Sequence, residues 1–169
     1  MKINAFIENM NQNKSKLLKS EQVQSFIKKE LNVKEYLSIK DKKQLVDGIV
    51  NECILYEDGV FKFNDIDKYI CFTMRTIAAY TNIELSDDIE DDYDALCESK
   101  LLNAVIESFN GEYENVKVLL QMKCDYILSG NTIEAQLGRF FDGVLEKVDG
   151  VAGALSNFDV SKLTEMFNK

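Results

Sequence analysis

Histidine is absent from these 169 residues, and so is proline. Without an imidazole, neither a Ser-His-Asp nor a Cys-His nucleophilic site can be assembled, and no H-E-x-x-H metal site exists. Two glycine patterns are missing as well. There is no G-x-x-x-x-G-K-[ST] and no G-x-G-x-x-G after a strand, so a phosphate-cradling loop has no candidate. Carboxylate-only or lysine-based catalysis would need a convergence of side chains that spacing does not reveal. A small hydrolase or transferase would show itself as a concave pocket with converging polar groups. The expectation is a protein that is not an enzyme and that carries no cofactor and no metal.

Long apolar runs are missing too. No segment approaches the roughly 18 residues that span a bilayer, and Met1-Lys2-Ile3-Asn4 does not begin the apolar run of a signal peptide. The chain therefore reads as soluble, without a membrane partner, in a cytosol-type reducing compartment. Its cysteines agree with that. Cys53, Cys71, Cys97 and Cys124 are far apart, with no C-x-x-C pair. Structural zinc uses closely spaced ligands, so reduced cysteines in the core are the expectation.

What is present has the proportions of one globular domain. Hydrophobic residues make up 46% and charged residues 29%, unlike a disordered segment, and this length buries roughly two-thirds of its unfolded surface. The net charge of −9 is unevenly spread: residues 1–43 hold ten lysines against five acids, residues 44–169 ten basic residues against twenty-four acids. An acidic body is repelled by phosphate backbones, so direct nucleic-acid binding is not expected of it. The N-terminal lysines alternate with apolar residues at helical spacing and read as a solvated helix face.

With no proline, breaks must be read from polar clusters and caps. Ile3, Phe6, Ile7 and Met10 mark a short helix before a polar connection at 11–16. Ser20 can cap a second helix carrying Val23, Phe26, Ile27 and Leu31, and a third runs from about Ser38 to Ile54. Residues 33–37 are ambiguous. Asp58-Gly59 between strand-prone flanks predicts a β-hairpin at about 54–63. An isolated hairpin is marginal in water, so it must pack on helices or be completed by another chain. Asn64-Asp65-Ile66-Asp67 opens a helix to about Thr81, apolar around most of its circumference and so central. Further helices are expected over about 90–108 with a break near Ser99, 112–128, 132–157 and 160–167. The fold class is mainly α: a single helical domain of six to eight helices with one small hairpin and a C-terminal amphipathic helical element. Three parts follow: 1–19, a short helix and mobile connection; 20–130, the helical core with its hairpin; and 131–169, an interaction segment.

Two features stand out. Residues 84–98 carry eight carboxylates and no basic residue. A calcium loop starting at Asp87 would place Glu98 at position 12, yet Ile89 falls at position 3 and Asp92 stands where the turn glycine belongs. The plainer readings are a solvated loop entering a helix N-terminus, or an acidic patch of Asp87, Asp88, Glu90, Asp91, Asp92 and Asp94 that docks a basic partner. The other feature lies near the C-terminus. Leu137, Phe141, Val144, Val148, Val151 and Leu155 are spaced 4, 3, 4, 3, 4, a heptad seam that wants a partner helix. The same stretch holds Gly138, Gly143, Gly150 and Gly153, each costing about 1 kcal/mol against alanine inside a helix. Close approach of another backbone would offset that, as would a break into two helices. The seam is either ordinary core packing or a partner-binding surface.

Five segments carry a resemblance: Lys34-Glu35-Tyr36-Leu37, Tyr69-Ile70-Cys71-Phe72-Thr73-Met74, Tyr80-Thr81-Asn82-Ile83-Glu84, the stretch from Tyr93 to Ser99, and Asn131-Thr132-Ile133-Glu134-Ala135. Together they resemble a group of small acidic proteins of tailed phages and prophages of low-GC Gram-positive bacteria, over most of residues 30–157. The resemblance names no chemistry and assigns no functional residue. It implies a phage-encoded chain made alongside head or tail components. The expectation is a non-enzymatic virion structural or assembly protein acting by protein-protein contacts. It would be homo-oligomeric or bound to other virion proteins, in the host cytoplasm or built into the virion. The alternative is a phage-encoded acidic inhibitor of a host defence or nucleic-acid-binding enzyme.

Overall fold

In a chain without proline, two of the helices stop where a residue turns left-handed. The computed structural model describes residues 1–13, 15, 17, 19–57 and 59–131. Helix α2 (Ser20–Glu30) closes on Asn32 at φ +48°, and α5 (Ile89–Glu98) on Lys100 at φ +61°. In each, the following amide reaches back over the last turn: Val33 N–H donates to the Lys28 carbonyl and Leu101 N–H to the Leu96 carbonyl, both at 3.0 Å. These Schellman closures satisfy carbonyls that the helix end would otherwise strand. Asparagine tolerates such a conformation, whereas Lys100 adopts it at a cost of about 1 kcal/mol. The break expected near Ser99 is therefore real, and α6 (Leu102–Glu107) starts beyond it.

The protein is mainly α. Among the described residues, α1 (Ile3–Asn13), α3 (Ile39–Cys53), α4 (Asp65–Tyr80) and α7 (Glu112–Ser129) complete seven helices, with one antiparallel hairpin of β1 (Ile54–Glu57) and β2 (Val60–Phe63). The chain divides after Leu128, and the fold described is that of the unit Met1–Leu128. The helices expected over 132–157 and 160–167 lie outside the described residues. Side-chain caps set three of the starts. Ser38 Oγ accepts from Asp41 N–H at 3.1 Å, Asn64 Oδ1 from Ile66 N–H at 3.1 Å, and Asp88 Oδ1 from the amides of Glu90 and Asp91 at 3.0 and 3.3 Å. Ser20 does not act as a cap: it is the first helical residue, and the Lys19 amide before it donates to Gln22 Oε1 at 3.2 Å.

Helix α4 is central, as its apolar circumference predicts. Cys71, Phe72, Thr73, Met74, Thr76, Ile77 and Tyr80 are all buried, and Phe72 and Tyr80 face the rings of Tyr113 and Phe109 at centroid distances of 4.7 and 5.4 Å. Inside this apolar layer the hydroxyls of Thr73 and Tyr113 bond at 2.9 Å, and burial pushes the Tyr113 phenol up to about 12. Helices α3, α5 and α7 pack around it. The stretch 33–37, ambiguous by sequence, is a loop held to the end of α4, where Lys34 N–H donates to the Tyr80 carbonyl at 2.8 Å.

One boundary needs correcting. Residues 1–19 do not form a separate element ahead of the core: α1 buries Ile3, Phe6 and Met10 in the same cluster as α3, α4 and α5. Each such side chain contributes about 1.5–3 kcal/mol by leaving water. The Met1 carbonyl accepts from Glu84 N–H at 3.0 Å, and the terminal ammonium lies 3.8 Å from the Glu84 carboxylate. Within the unit Met1–Leu128 the basic first quarter of the chain is thus folded against acidic segments that follow it, and there the charge division along the chain is not a division in space.

Candidate interaction surfaces and a buried ion pair

The acidic run lies where its cap chemistry puts it. Asp87 and Asp88 end the loop, and Glu90, Asp91 and Asp92 form the first turn of α5, where carboxylates complement the positive end of the helix. Asp88 serves as the cap, and Asp92 accepts from Ser86 N–H at 2.6 Å. Asp87, Asp88, Glu90, Asp91 and Asp94 are exposed and Asp92 is half-buried. Among the described residues, no three acids, cysteines or histidines converge in a way that could hold a metal ion. The carboxylates of this run accept from local backbone amides, which is the work of a loop entering a helix.

The seam residues Leu137, Phe141, Val144, Val148, Val151 and Leu155 lie outside the described residues. A different apolar surface lies just before them. Helix α7 turns Tyr113, Val116, Leu120 and Cys124 into the core. Its opposite side carries Val118, Met122 and Tyr126, spaced by four residues and 57%, 64% and 77% exposed. A helix that is apolar on both sides ordinarily has something packed on both. The signal was in the sequence, because Val118, Met122 and Tyr126 recur at one helical interval between the inward positions. Only the existence of the helix was read from that stretch.

The hairpin forms a second such surface. Its register pairs Ile54 with Phe63 and Tyr56 with Phe61, whose rings lie 5.0 Å apart. Phe63 packs against the core and has the Lys68 ammonium 5.5 Å from its ring centroid. Toward the tip, where Gly59 takes φ +81°, Leu55 and Tyr56 remain exposed. The hairpin is anchored on the helices at its base, with Val60 and Phe61 of β2 half-buried and Leu55 and Tyr56 of β1 exposed.

Sequence reasoning missed a buried polar cluster altogether. Lys42 of α3, read as part of a solvated lysine face, is only 6% exposed and meets the Glu112 carboxylate of α7 at 2.6 Å. Tyr80 OH donates to the same oxygen at 2.7 Å, and Asn115 Nδ2 to the other at 2.9 Å. The Tyr36 ring covers the ammonium at 4.5 Å. Burial alone would raise the Glu112 pKa. The hydrogen bonds from Lys42, Tyr80 and Asn115 outweigh it and hold the carboxyl at about 2. Burial and the neighbouring carboxylate push the Tyr80 phenol well up. The cluster joins α3, α4 and α7 and spends its donors on one acceptor.

No family model, curated protein or solved structure matches this chain. What can be said of function therefore rests on the surfaces and side chains themselves.

The cysteines divide. Cys53, Cys71 and Cys124 are buried and free, but Cys97 is exposed on α5, which corrects its assignment to the core. Cys71 Sγ donates to Glu52 Oε2 at 3.1 Å, and the same oxygen accepts from Arg75 Nε at 3.0 Å. Burial pushes the thiols of Cys53, Cys71 and Cys124 up. A thiol held in its protonated form is a poor nucleophile, so the Cys71-Glu52-Arg75 row works as a clasp between α3 and α4. Among the described residues, no helix is long and apolar enough to cross a membrane.

Proposed function

We infer that the chain is a non-enzymatic phage or prophage protein that acts by protein-protein contacts, as a structural or assembly component of the virion. The observation that carries the contact part is the outer side of α7, where Val118 and Met122 stand exposed opposite a packed face. The phage setting rests on the five segments that resemble small acidic phage proteins. The hairpin adds to the reading through Leu55 and Tyr56, two large apolar side chains exposed on one strand. Light scattering at micromolar concentration, with pull-downs against virion proteins, tests it. Replacing Val118 and Met122 together by serine is expected to abolish association and to leave the fold intact. A wild-type chain that stays monomeric and captures no virion protein would sink the reading.

One observation favours a second reading, an acidic inhibitor of a host defence or nucleic-acid-binding enzyme. Five carboxylates are exposed around a single helix start, a geometry suited to a basic partner. Its binding would weaken steeply with salt. Neutralising Asp87, Asp88, Asp91 and Asp92 to asparagine should destroy it, and an unchanged affinity would exclude this face as the contact.

A further inference from the structure

Helices α3 and α4 bring two thiols together. Cys53 is the last residue of α3, and Cys71 lies in the second turn of α4. Both are buried and free, and each side chain is within hydrogen-bond reach of the other. They share the wall of a cavity of about 140 Å³, whose polar wall residues are otherwise Glu52, Asp67 and Glu90. No lysine or arginine lines it. Glu52 is paired with Arg75 at 3.0 Å, which leaves Asp67 and Glu90 to give the cavity its negative charge. Lys68 is near enough to act on Cys53, but it is itself bound to Asp65 at 2.6 Å. Three features narrow the ligand. The volume is under half of the roughly 300 Å³ at which pockets for organic molecules begin, so an ion suits it. Two thiols in acidic surroundings favour a cation that prefers sulfur. Among the described residues no third acid or cysteine converges on the pair, so a cation needing four ligands is not served and one content with two is.

We propose that Cys53 and Cys71 bind a single soft monovalent cation of the Cu(I) type, held between their two sulfurs as a digonal bis-thiolate. Uptake breaks two S–H bonds and forms two sulfur–metal bonds. Both protons go to solvent, and no electron is transferred. The carboxylates of Asp67 and Glu90 draw the ion in without ligating it. The Arg75 guanidinium, also within hydrogen-bond reach of Cys71, offsets the negative charge of the complex. Burial keeps both thiols protonated, so the pair is inert toward electrophiles yet open to a metal able to displace the protons. The site is independent of the assembly reading and would survive its failure.

Cu(I) is the probe, titrated without oxygen into the full-length reduced protein in competition with a chromophoric Cu(I) chelator. The protein carries Cys97→Ser, which removes the exposed thiol. One ion per chain is expected, with two protons released into weak buffer. Cys53→Ala and Cys71→Ala should each weaken binding by at least about 100-fold, the upper end of what lesser changes around a metal cost. Cys124→Ala, a comparable loss from the core outside this cavity, should leave binding unchanged and separates a lost ligand from a damaged fold. X-ray absorption at the copper edge should show two sulfur neighbours. Uptake that vanishes with Cys97 alone, equal losses in all three alanine variants, or a third sulfur at the metal would each overturn the assignment.

Discussion

Of the helices that begin with acids, α5 and α7 put them to opposite uses. At the start of α5, Asp88, Glu90 and Asp91 face water and hold little beyond their own amides. At the start of α7, Glu112 is buried and receives Lys42, Tyr80 and Asn115. Both places offer a carboxylate the same positive helix end. What separates them is whether other elements bring donors, and that is decided by α3 and α4, far away in sequence. An acid at a helix start is thus a surface feature or a keystone depending on its neighbours, and the local pattern is silent on which.

The sharpest way to break this comparison is to remove the buried acid. Glu112→Ala leaves the Lys42 ammonium without its counter-ion and two further donors without an acceptor, so a loss of about 3–5 kcal/mol is expected in urea unfolding. Replacing the pair, Lys42→Met with Glu112→Leu, should recover part of it, because neither charge then has to be desolvated while the buried Tyr80 hydroxyl still lacks its acceptor. A single substitution as mild as a surface change would show that the cluster contributes little.

Acid should separate the two helix starts next. The Glu112 carboxyl is held at about 2, below its ordinary 4.5. A carboxyl depressed in the folded state contributes its full stability above pH 4.5. The contribution erodes as protons bind between 4.5 and 2, and is gone below 2. Its size is of the order of 3 kcal/mol. Urea midpoints at pH 6 and pH 3.5 should therefore fall further apart in the wild type than in Lys42→Met, which has lost the largest of the donors. Equal falls in the two proteins would place the acid sensitivity elsewhere.

The same contrast explains what the sequence could and could not reveal. Elements fixed by local chemistry were legible: the helix starts near Ser38 and Asn64, the Asp58-Gly59 hairpin signal, the apolar circumference of α4 and the break near Ser99 each depend on residues within a few positions, although the cap expected at Ser20 falls one residue earlier. Features that need distant partners were not. Lys42 sits among Lys40 and Lys43 in a stretch that reads as a solvated face, and nothing nearby announces that Glu112, seventy residues on, will neutralise it. Residues 1–19 read as a detached helix because their polar connection is conspicuous, whereas the pocket that receives Phe6 is assembled from other helices. The outer stripe of α7 was available as a pattern. The inward stripe by itself accounts for a helix there, and one helical period can hide a second on the opposite face.

The smallest expected effect sharpens the comparison from the exposed side. Asp88→Ala removes the cap of α5 and should cost about 1 kcal/mol, whereas Asp88→Asn keeps an oxygen that can accept from Glu90 and Asp91 and should cost only tenths. The difference measures the cap geometry apart from the charge. If the exposed acids serve the fold only through that cap, Asp91→Asn and Asp92→Asn should each shift stability by no more than a few tenths of a kcal/mol. A larger penalty for Asp92 would trace to its bond from Ser86, since that side chain alone among the six is half-buried. Whatever these acids then contribute to binding a basic partner could be read without a folding correction, which is not possible for Glu112.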